Sequence, residues 1–411
     1  MAADLGSMEC ADRTEWPKTL DVAELRSRGW RPAPFREFVL KVNSRCDLSC
    51  TYCYVYEMAD QSWRDQPIRM SARTIAHTAE RVAEHVRTHR LSSVELILHG
   101  GEPLLAGPEL LARVVTATRA AVGRSACVNT RVQTNGVRLD AAFLRLFDAL
   151  DISVAVSLDG DRSAHDRHRI FANGKGSHDA VARSLRLLRE SFPRLFSGLL
   201  CTIDLRNDPV RSYEALLEHG PPRIDFLLPL GNWSFPPPGR VPGSSATPYA
   251  DWLIAAFDRW YSAPRKETEV RLFSEIIHLL LGGRSNSETV GLSPSSVLVI
   301  DTDGTMELSD TVKSSIPNMP ANGLNVAANS FDEALFRPEA AARQLGASAL
   351  AAECLSCDVR DVCGGGQFAH RYRAGHGFAN PSVYCPDLLK LIRHVKSAVA
   401  ADVGAQLEKL R

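Results

Sequence analysis

The chain lacks any run of the roughly eighteen consecutive apolar residues that a membrane-spanning helix needs. Its first thirty residues are polar and charged and hold no apolar segment suited to a signal peptide. An excess of charge of one sign is missing too: 48 Lys and Arg balance 48 Asp and Glu, for a formal net charge of zero. With no basic surplus, neither nucleic acid nor an anionic membrane surface is an expected partner. Low-complexity segments are absent as well. A soluble, cytoplasmic protein follows as the expectation, and 411 residues are enough for two or three domains with a large core.

Cysteine is present in number, with ten residues. In a reducing compartment these read as metal ligands rather than disulfides. Seven fall in two tight groups, and Cys10, Cys127 and Cys201 stand alone. The lone three read as ordinary residues, with Cys127 and Cys201 expected to be buried in strands. The first group is Cys46-Asp-Leu-Ser-Cys50-Thr-Tyr52-Cys53, directly after the apolar run Phe38–Val42. A loop of that length can wrap three thiolates round one face of a [4Fe–4S] cube, which leaves one iron without a protein ligand. That iron can be chelated by the amino and carboxylate groups of S-adenosylmethionine (SAM). Zinc is the alternative, but it favours paired cysteines and four ligands. The second group is Cys354, Cys357, Cys363 and Cys385, enough for a closed site holding a second [4Fe–4S] cluster or a four-thiolate zinc.

Between residues 36 and 235 short β-rich runs alternate with amphipathic stretches. Strands are expected at Phe38–Val42, Val94–His99, Cys127–Thr134, Ile152–Ser157, Gly198–Ile203 and Ile224–Leu228. Helices are expected at Ala72–Thr88, Glu109–Val122, Ala141–Ala149, His178–Arg189 and Ser212–Glu218. Six β/α repeats imply a parallel sheet with right-handed crossovers, an α/β fold of the partial (β/α)6, TIM-like kind. In such barrels the chemistry gathers at the C-terminal ends of the strands, and the first cysteine loop follows the first strand. Residues 1–35 read as an irregular arm with a short helix near Asp21–Arg28. Residues 236–290 read as a linker with helices at Tyr249–Tyr261 and Glu269–Leu281. Residues 291–390 read as a Cys-rich C-terminal domain that opens with a hairpin, Val297–Asp301 and Thr305–Leu308, turning on the two residues Asp303-Gly304. Residues 391–411 close the chain as a helix that begins near Asp387.

Other strand ends carry polar residues. The second expected strand leads into His99-Gly100-Gly101-Glu102-Pro103; the glycines allow close approach of a ligand, and the Glu102 carboxylate suits an ammonium group. Gln133-Thr134-Asn135-Gly136 and Ser157-Leu158-Asp159-Gly160 end the third and fourth strands, although Asn-Gly and Asp-Gly also mark plain turns. Arg169 is a plausible carboxylate partner.

These motifs together resemble the radical SAM superfamily. The resemblance implies a [4Fe–4S] cluster on Cys46, Cys50 and Cys53, with Tyr52 as the aromatic of the cysteine motif. It also implies a SAM site formed by Gly100, Gly101, Glu102, Gln133, Asn135, Ser157, Asp159 and Arg169. The second cysteine group resembles the SPASM domain, which implies one auxiliary [4Fe–4S] cluster on Cys354, Cys357, Cys363 and Cys385. Members of that family often hold a further, inner cluster, but here Ser309 and Gln367 occupy positions where its cysteines belong. Only the outer auxiliary cluster is expected. Asp310 falls where sulfatase-maturing relatives carry an acidic residue proposed as a general base; an exposed hairpin aspartate is the alternative.

The stretches Pro34–Val42, Asp60–Trp63, Gly364–Tyr372 and Asn380–Cys385 are similar to FxsB-type peptide maturases. That similarity implies an enzyme that abstracts a Cβ hydrogen from a ribosomally made precursor peptide and joins that carbon to an aromatic ring, forming a cyclophane. Thioether formation, epimerisation and formylglycine formation are the alternatives, and a non-catalytic Fe–S or zinc peptide binder is the reading from another class. The expected partners are the precursor peptide and an electron donor such as flavodoxin or ferredoxin. Only about 36 residues precede the first strand, short of the roughly 80 a leader-binding module needs, so the precursor is expected to dock elsewhere. The chain also ends too soon for the metallohydrolase-like C-terminal domain that some of these maturases carry.

Overall fold

The computed structural model of the protein describes residues 16–315 and 321–409. Ten strands form one sheet in the order β10-β9-β8-β1-β2-β3-β4-β5-β6-β7. The first six are β1 (Glu37–Asn43), β2 (Ser93–Gly100), β3 (Cys127–Thr134), β4 (Ile152–Ser157), β5 (Phe196–Thr202) and β6 (Arg223–Leu227), all parallel and in chain order. The expected strands and the observed ones differ by at most two residues at either end. A seventh strand, β7 (Glu269–Val270), extends the run where a helix was expected to begin, because Val270 pairs with Ile224.

The helices α1 (Val22–Ser27), α2 (Ala72–His89), α3 (Pro108–Val122), α4 (Ala141–Ala149), α5 (Arg162–His165), α6 (His178–Ser191) and α7 (Pro209–Leu217) come with the first six strands. Local chemistry starts several of them. Ser71, Asp140 and Asp208 accept hydrogen bonds from the first-turn amides of α2, α4 and α7. Each strand sends alternate side chains to the two faces. In β2, Val94, Leu96 and Leu98 are buried on one face. The other carries Glu95, Ile97 and His99, next to a similar row from β1 and β3. This inner face is polar and internally paired: Arg131 reaches Glu37 at 3.0 Å and Asn129 donates to Glu95 at 2.7 Å.

The C-terminal region is not a detached body. Strand β8 (Val297–Ile300) pairs parallel with β1, while β9 (Thr305–Glu307) and β10 (Ala321–Asn325) follow antiparallel. The hairpin turn also differs from expectation. The Asp301 amide bonds to the Thr305 carbonyl, so the loop is the three residues Thr302-Asp303-Gly304, with Gly304 at φ 91°. Helices α8 (Pro248–Tyr261) and α9 (Arg271–Leu280) complete the outer layer. Short helices α10 (Phe331–Leu335), α11 (Pro338–Ala342), α12 (Ala352–Leu355) and α13 (Arg360–Cys363) lead to the closing helix α14 (Cys385–Lys409), which packs on α8 and α9. No helix among the described residues is long and apolar enough to cross a membrane.

Candidate active site

A cavity of about 350 Å³ opens at the C-terminal ends of the strands. Cys46, Cys50 and Cys53 form part of its wall, held by the loop after β1. Two glycines set how closely the β2 end approaches that loop. A Cβ on Gly100 would lie 2.1 Å from the Asn43 carbonyl oxygen, and one on Gly101 would lie 1.9 Å from the Tyr56 hydroxyl. No other residue fits at either position.

Glu102 is buried and fastens two strand ends together. Its Oε1 accepts from the Leu104 amide at 3.0 Å and the Thr134 hydroxyl at 2.7 Å, and its Oε2 accepts from the Asn135 amide at 2.8 Å. Burial outweighs these donors and raises its carboxyl to about 7. Asn135 in turn donates to Asp47 at 2.8 Å and lies 3.7 Å from the Cys46 sulfur. Gln133 donates to Ser157 at 3.0 Å. On the far side, the Tyr52 hydroxyl donates to Asp159 and receives Arg169 at 2.8 Å, while Asp159 also accepts from the Thr202 amide at 3.0 Å. The residues expected to bind the first cluster and SAM therefore meet round one cavity, except that Asp159 stands behind its wall, reached through Tyr52; Asp310 and the four distal cysteines do not line it.

Burial raises all three thiols, Cys53 to about 11, so each is neutral unless a cation stands between them. Three half-buried thiols facing one cavity match the donor set of an open iron–sulfur cluster. Among the described residues only His85, His89 and Asp332 draw three ligand atoms within 4.8 Å of one another. Cys354, Cys357, Cys363 and Cys385 are all half-buried; burial, and less strongly the neighbouring cysteines of the group, raise the thiols of Cys354, Cys363 and Cys385. Arg371 clasps the turn after Cys363, donating to the carbonyls of Gly364, Gly365 and Gly366 at 2.6, 3.1 and 2.8 Å. Burial lowers its pKa and the adjacent Cys363 and Cys354 oppose this. It has no carboxylate ion pair among the described residues, so thiolates are its natural counter-charge. Of the isolated cysteines, Cys201 is buried as expected, Cys10 lies outside the described residues, and Cys127 is exposed because it opens β3 at the sheet rim.

Asp310 is neither exposed nor in a hairpin. It begins a short 3₁₀ turn and is buried in an ion-pair network beside the cavity. Lys41 stands 3.1 Å from Asp301, 2.8 Å from Glu307 and 2.5 Å from Asp310. Lys313 stands 2.9 Å from Glu307 and 3.2 Å from Asp60. Tyr54, on the cavity wall, donates to Asp310 at 2.7 Å. Burial works to raise the Asp310 carboxyl, but Lys41 and Lys313 overcome it and hold the group well below the usual carboxylate range. Buried ion pairs thus occupy the ground near Ser309 where the family resemblance would place an inner cluster.

Several wall residues escaped the sequence reading: Tyr54, His99, Thr311 and His370. His370 is brought in from the C-terminal region, with burial lowering its pKa to about 3. His99 had a signal, since it directly precedes Gly100-Gly101; so did Lys41 behind the wall, a charge inside an apolar strand.

Residues 40–215 match the model of the Radical SAM superfamily. The chain is 22% identical over 268 residues to a cysteine-type anaerobic sulfatase-maturating enzyme of Clostridium novyi, covering 64% of this chain and 70% of that protein. It is 23% identical over 354 residues to a serine-type anaerobic sulfatase-maturating enzyme of Klebsiella aerogenes, covering 84% and 82%. Among solved structures, native anSMEcpe with bound AdoMet superposes with a TM-score of 0.76 at 19% identity, over 90% of this chain and 99% of that one. Streptococcus suis SuiB bound to precursor peptide SuiA superposes with a TM-score of 0.55 at 12% identity, over 87% and 77%. These likenesses show the fold, which is the radical SAM α/β fold with a Cys-rich C-terminal region. A [4Fe–4S] cluster and SAM are the cofactors of that family.

Proposed function

We propose that this radical SAM chain is a cytoplasmic peptide-modifying enzyme that cross-links a ribosomally made precursor by joining a Cβ carbon to an aromatic ring. The observation that carries the reading is the single cavity in which three thiols of one loop, the Gly100-Gly101 strand end and residues of the C-terminal region share one wall. Cys46, Cys50 and Cys53 would hold the [4Fe–4S] cluster, and SAM bound beside them would supply a 5′-deoxyadenosyl radical once a protein donor such as flavodoxin or ferredoxin had reduced it. Gly100 and Gly101 give the backbone access that the methionyl end of SAM needs. Gln133, Asn135 and Ser157 line that side, and the Arg169–Tyr52–Asp159 chain fixes the opposite wall.

The reaction balances as follows. The substrate Cβ loses a hydrogen atom, its carbon bonds to the ring, and the ring then loses one proton and one electron. An oxidised auxiliary cluster, which Cys354, Cys357, Cys363 and Cys385 would hold, would supply the acceptor for that electron. The proton passes through the Tyr54 hydroxyl to Asp310. An oxidised ring adduct is strongly acidic, so a carboxylate held at low pKa still accepts its proton.

Formylglycine formation is the second reading, supported by the sulfatase-maturating relatives. Both cross-linking and oxidation of a serine remove two hydrogens, so mass alone does not separate them. The test is co-expression with a short precursor peptide encoded beside the gene, followed by tandem mass spectrometry and treatment with a hydrazide. The cross-link predicts loss of about two hydrogens, no fragmentation between the joined residues and no hydrazide adduct. A hydrazide adduct establishes the second reading instead. Unchanged mass with deuterium uptake from heavy water means epimerisation and sinks both.

A further inference from the structure

A second constellation lies away from the cavity, where a barrel helix meets the C-terminal region. His85 and His89 are one turn apart on α2 and so share a face, the arrangement in which a helix presents two imidazoles to one ion. Asp332 comes from α10, whose start is set by a capping box between Ser330 and Glu333. One oxygen of Asp332 meets both rings, 3.0 Å from His85 Nδ1 and 2.8 Å from His89 Nε2. The two rings lie 4.4 Å apart, centre to centre.

We propose that His85, His89 and Asp332 form a binding site for a divalent transition metal of the zinc type, which clamps α2 to α10. The inference is independent of the proposed reaction. If the rings merely donate to Asp332, His85 must carry its proton on Nδ1. That leaves His85 Nε2 buried with no hydrogen-bond partner. The other tautomer, with the proton on Nε2, is the one in which Nδ1 can serve as a metal ligand. Nδ1 then turns a lone pair toward the point that His89 Nε2 and Asp332 already face. Two nitrogens and one oxygen suit zinc, cobalt or nickel, whereas calcium and magnesium prefer oxygen alone.

The spacing fits with small shifts. Tetrahedral ligands at bonds of about 2.1 Å lie ~3.3 Å apart, a few tenths of an ångström beyond the hydrogen-bond distances here. Behind the site, Phe35, Phe38 and Phe331 pack on the His85 ring and hold it in place. In front, His89 and Asp332 are part-exposed, with side chains 23% and 35% accessible, which leaves a fourth position for water.

The test titrates zinc chloride into chelator-washed protein with both clusters loaded, using calorimetry, metal analysis after dialysis and thermal unfolding. The wild type should take up one zinc per chain with a micromolar Kd and gain at least about 3 °C in Tm, with its iron content unchanged. His89→Ala and Asp332→Asn, both at part-exposed positions, should each weaken binding by at least about 10-fold and lose the Tm gain. Equal zinc binding in both variants, or none by the wild type at roughly 1 mM, would overturn the site and leave a hydrogen-bonded clamp. Zinc uptake accompanied by iron loss would overturn it as well, since the metal would then be displacing the clusters.

Discussion

The two cysteine groups differ in what surrounds them. Cys46, Cys50 and Cys53 stand on a loop anchored to four neighbouring strand ends, and one side of the loop faces a cavity. Cys354 and Cys363 stand on short helices, Cys357 on the loop between them and Cys385 at the start of α14, beside a glycine turn that Arg371 clasps, and none of them borders that cavity. Three ligands for four irons leave room for a small molecule, while four ligands leave none. On the function proposed above, the open group would carry the chemistry and the closed one would pass electrons.

The sharpest way to break this contrast is to remove one thiol from each side. Cys50→Ala should lower anaerobic 5′-deoxyadenosine formation by at least about 10³-fold, since residues acting as a unit fail together. Cys357→Ala should retain that activity and lose peptide modification. Equal loss in both would erase the division of labour. Next in size, Asp310→Asn should reduce modified peptide by about 10²-fold, the scale of a lost general base, with 5′-deoxyadenosine formation preserved. Parallel loss of both products would mean that Asp310 only supports the fold.

Lys313→Met probes the ground between the two groups. It removes the ammonium 3.2 Å from Asp60 and one of the two that face Glu307, and should cost about 3–5 kcal/mol in denaturant unfolding. A cost below about 1 kcal/mol would show that the carboxylates simply take up protons.

The smallest effect is a pH signature of opposite sign on the two walls. His370, in the C-terminal wall, has a folded pKa of about 3, below its ordinary 6.5. Its contribution is present above about 6.5 and is lost as pH falls toward 3. Glu102, in the barrel wall, has a folded value of about 7, above its ordinary 4.5. Its contribution is present below about 4.5 and is lost as pH rises through 7. Glu102→Gln should therefore gain about 1–3 kcal/mol relative to wild type between pH 5 and pH 8, measured by urea unfolding. A constant difference across that range would mean that Glu102 is ionised throughout.

Much of the barrel was legible because its signals are local. A β/α alternation, a capping residue or a Cys46-to-Cys53 spacing needs only neighbours in the chain, and Cys127–Thr134, Ala141–Ala149 and Ile152–Ser157 match residue for residue. Where tertiary pairing competed with propensity, the reading slipped. Residues 269–270 join β6 as strand β7 instead of starting a helix, and the hairpin loop takes a third residue. Asp310 looked exposed because its partners Lys41 and Tyr54 are more than 250 residues away in the chain.

The amino-acid order alone determined the repeat, both sets of metal-ligand spacings and the glycine pair at the strand end, since each is a matter of residue type and short distance along the backbone. Only the folded molecule decided that the C-terminal strands continue the barrel sheet, that Lys41 and Lys313 gather four carboxylates, that His370 reaches the cavity, and that Asp332 meets His85 and His89. Those are contacts between distant segments, and burial, which sets their charge states and energies, exists only once the chain has packed.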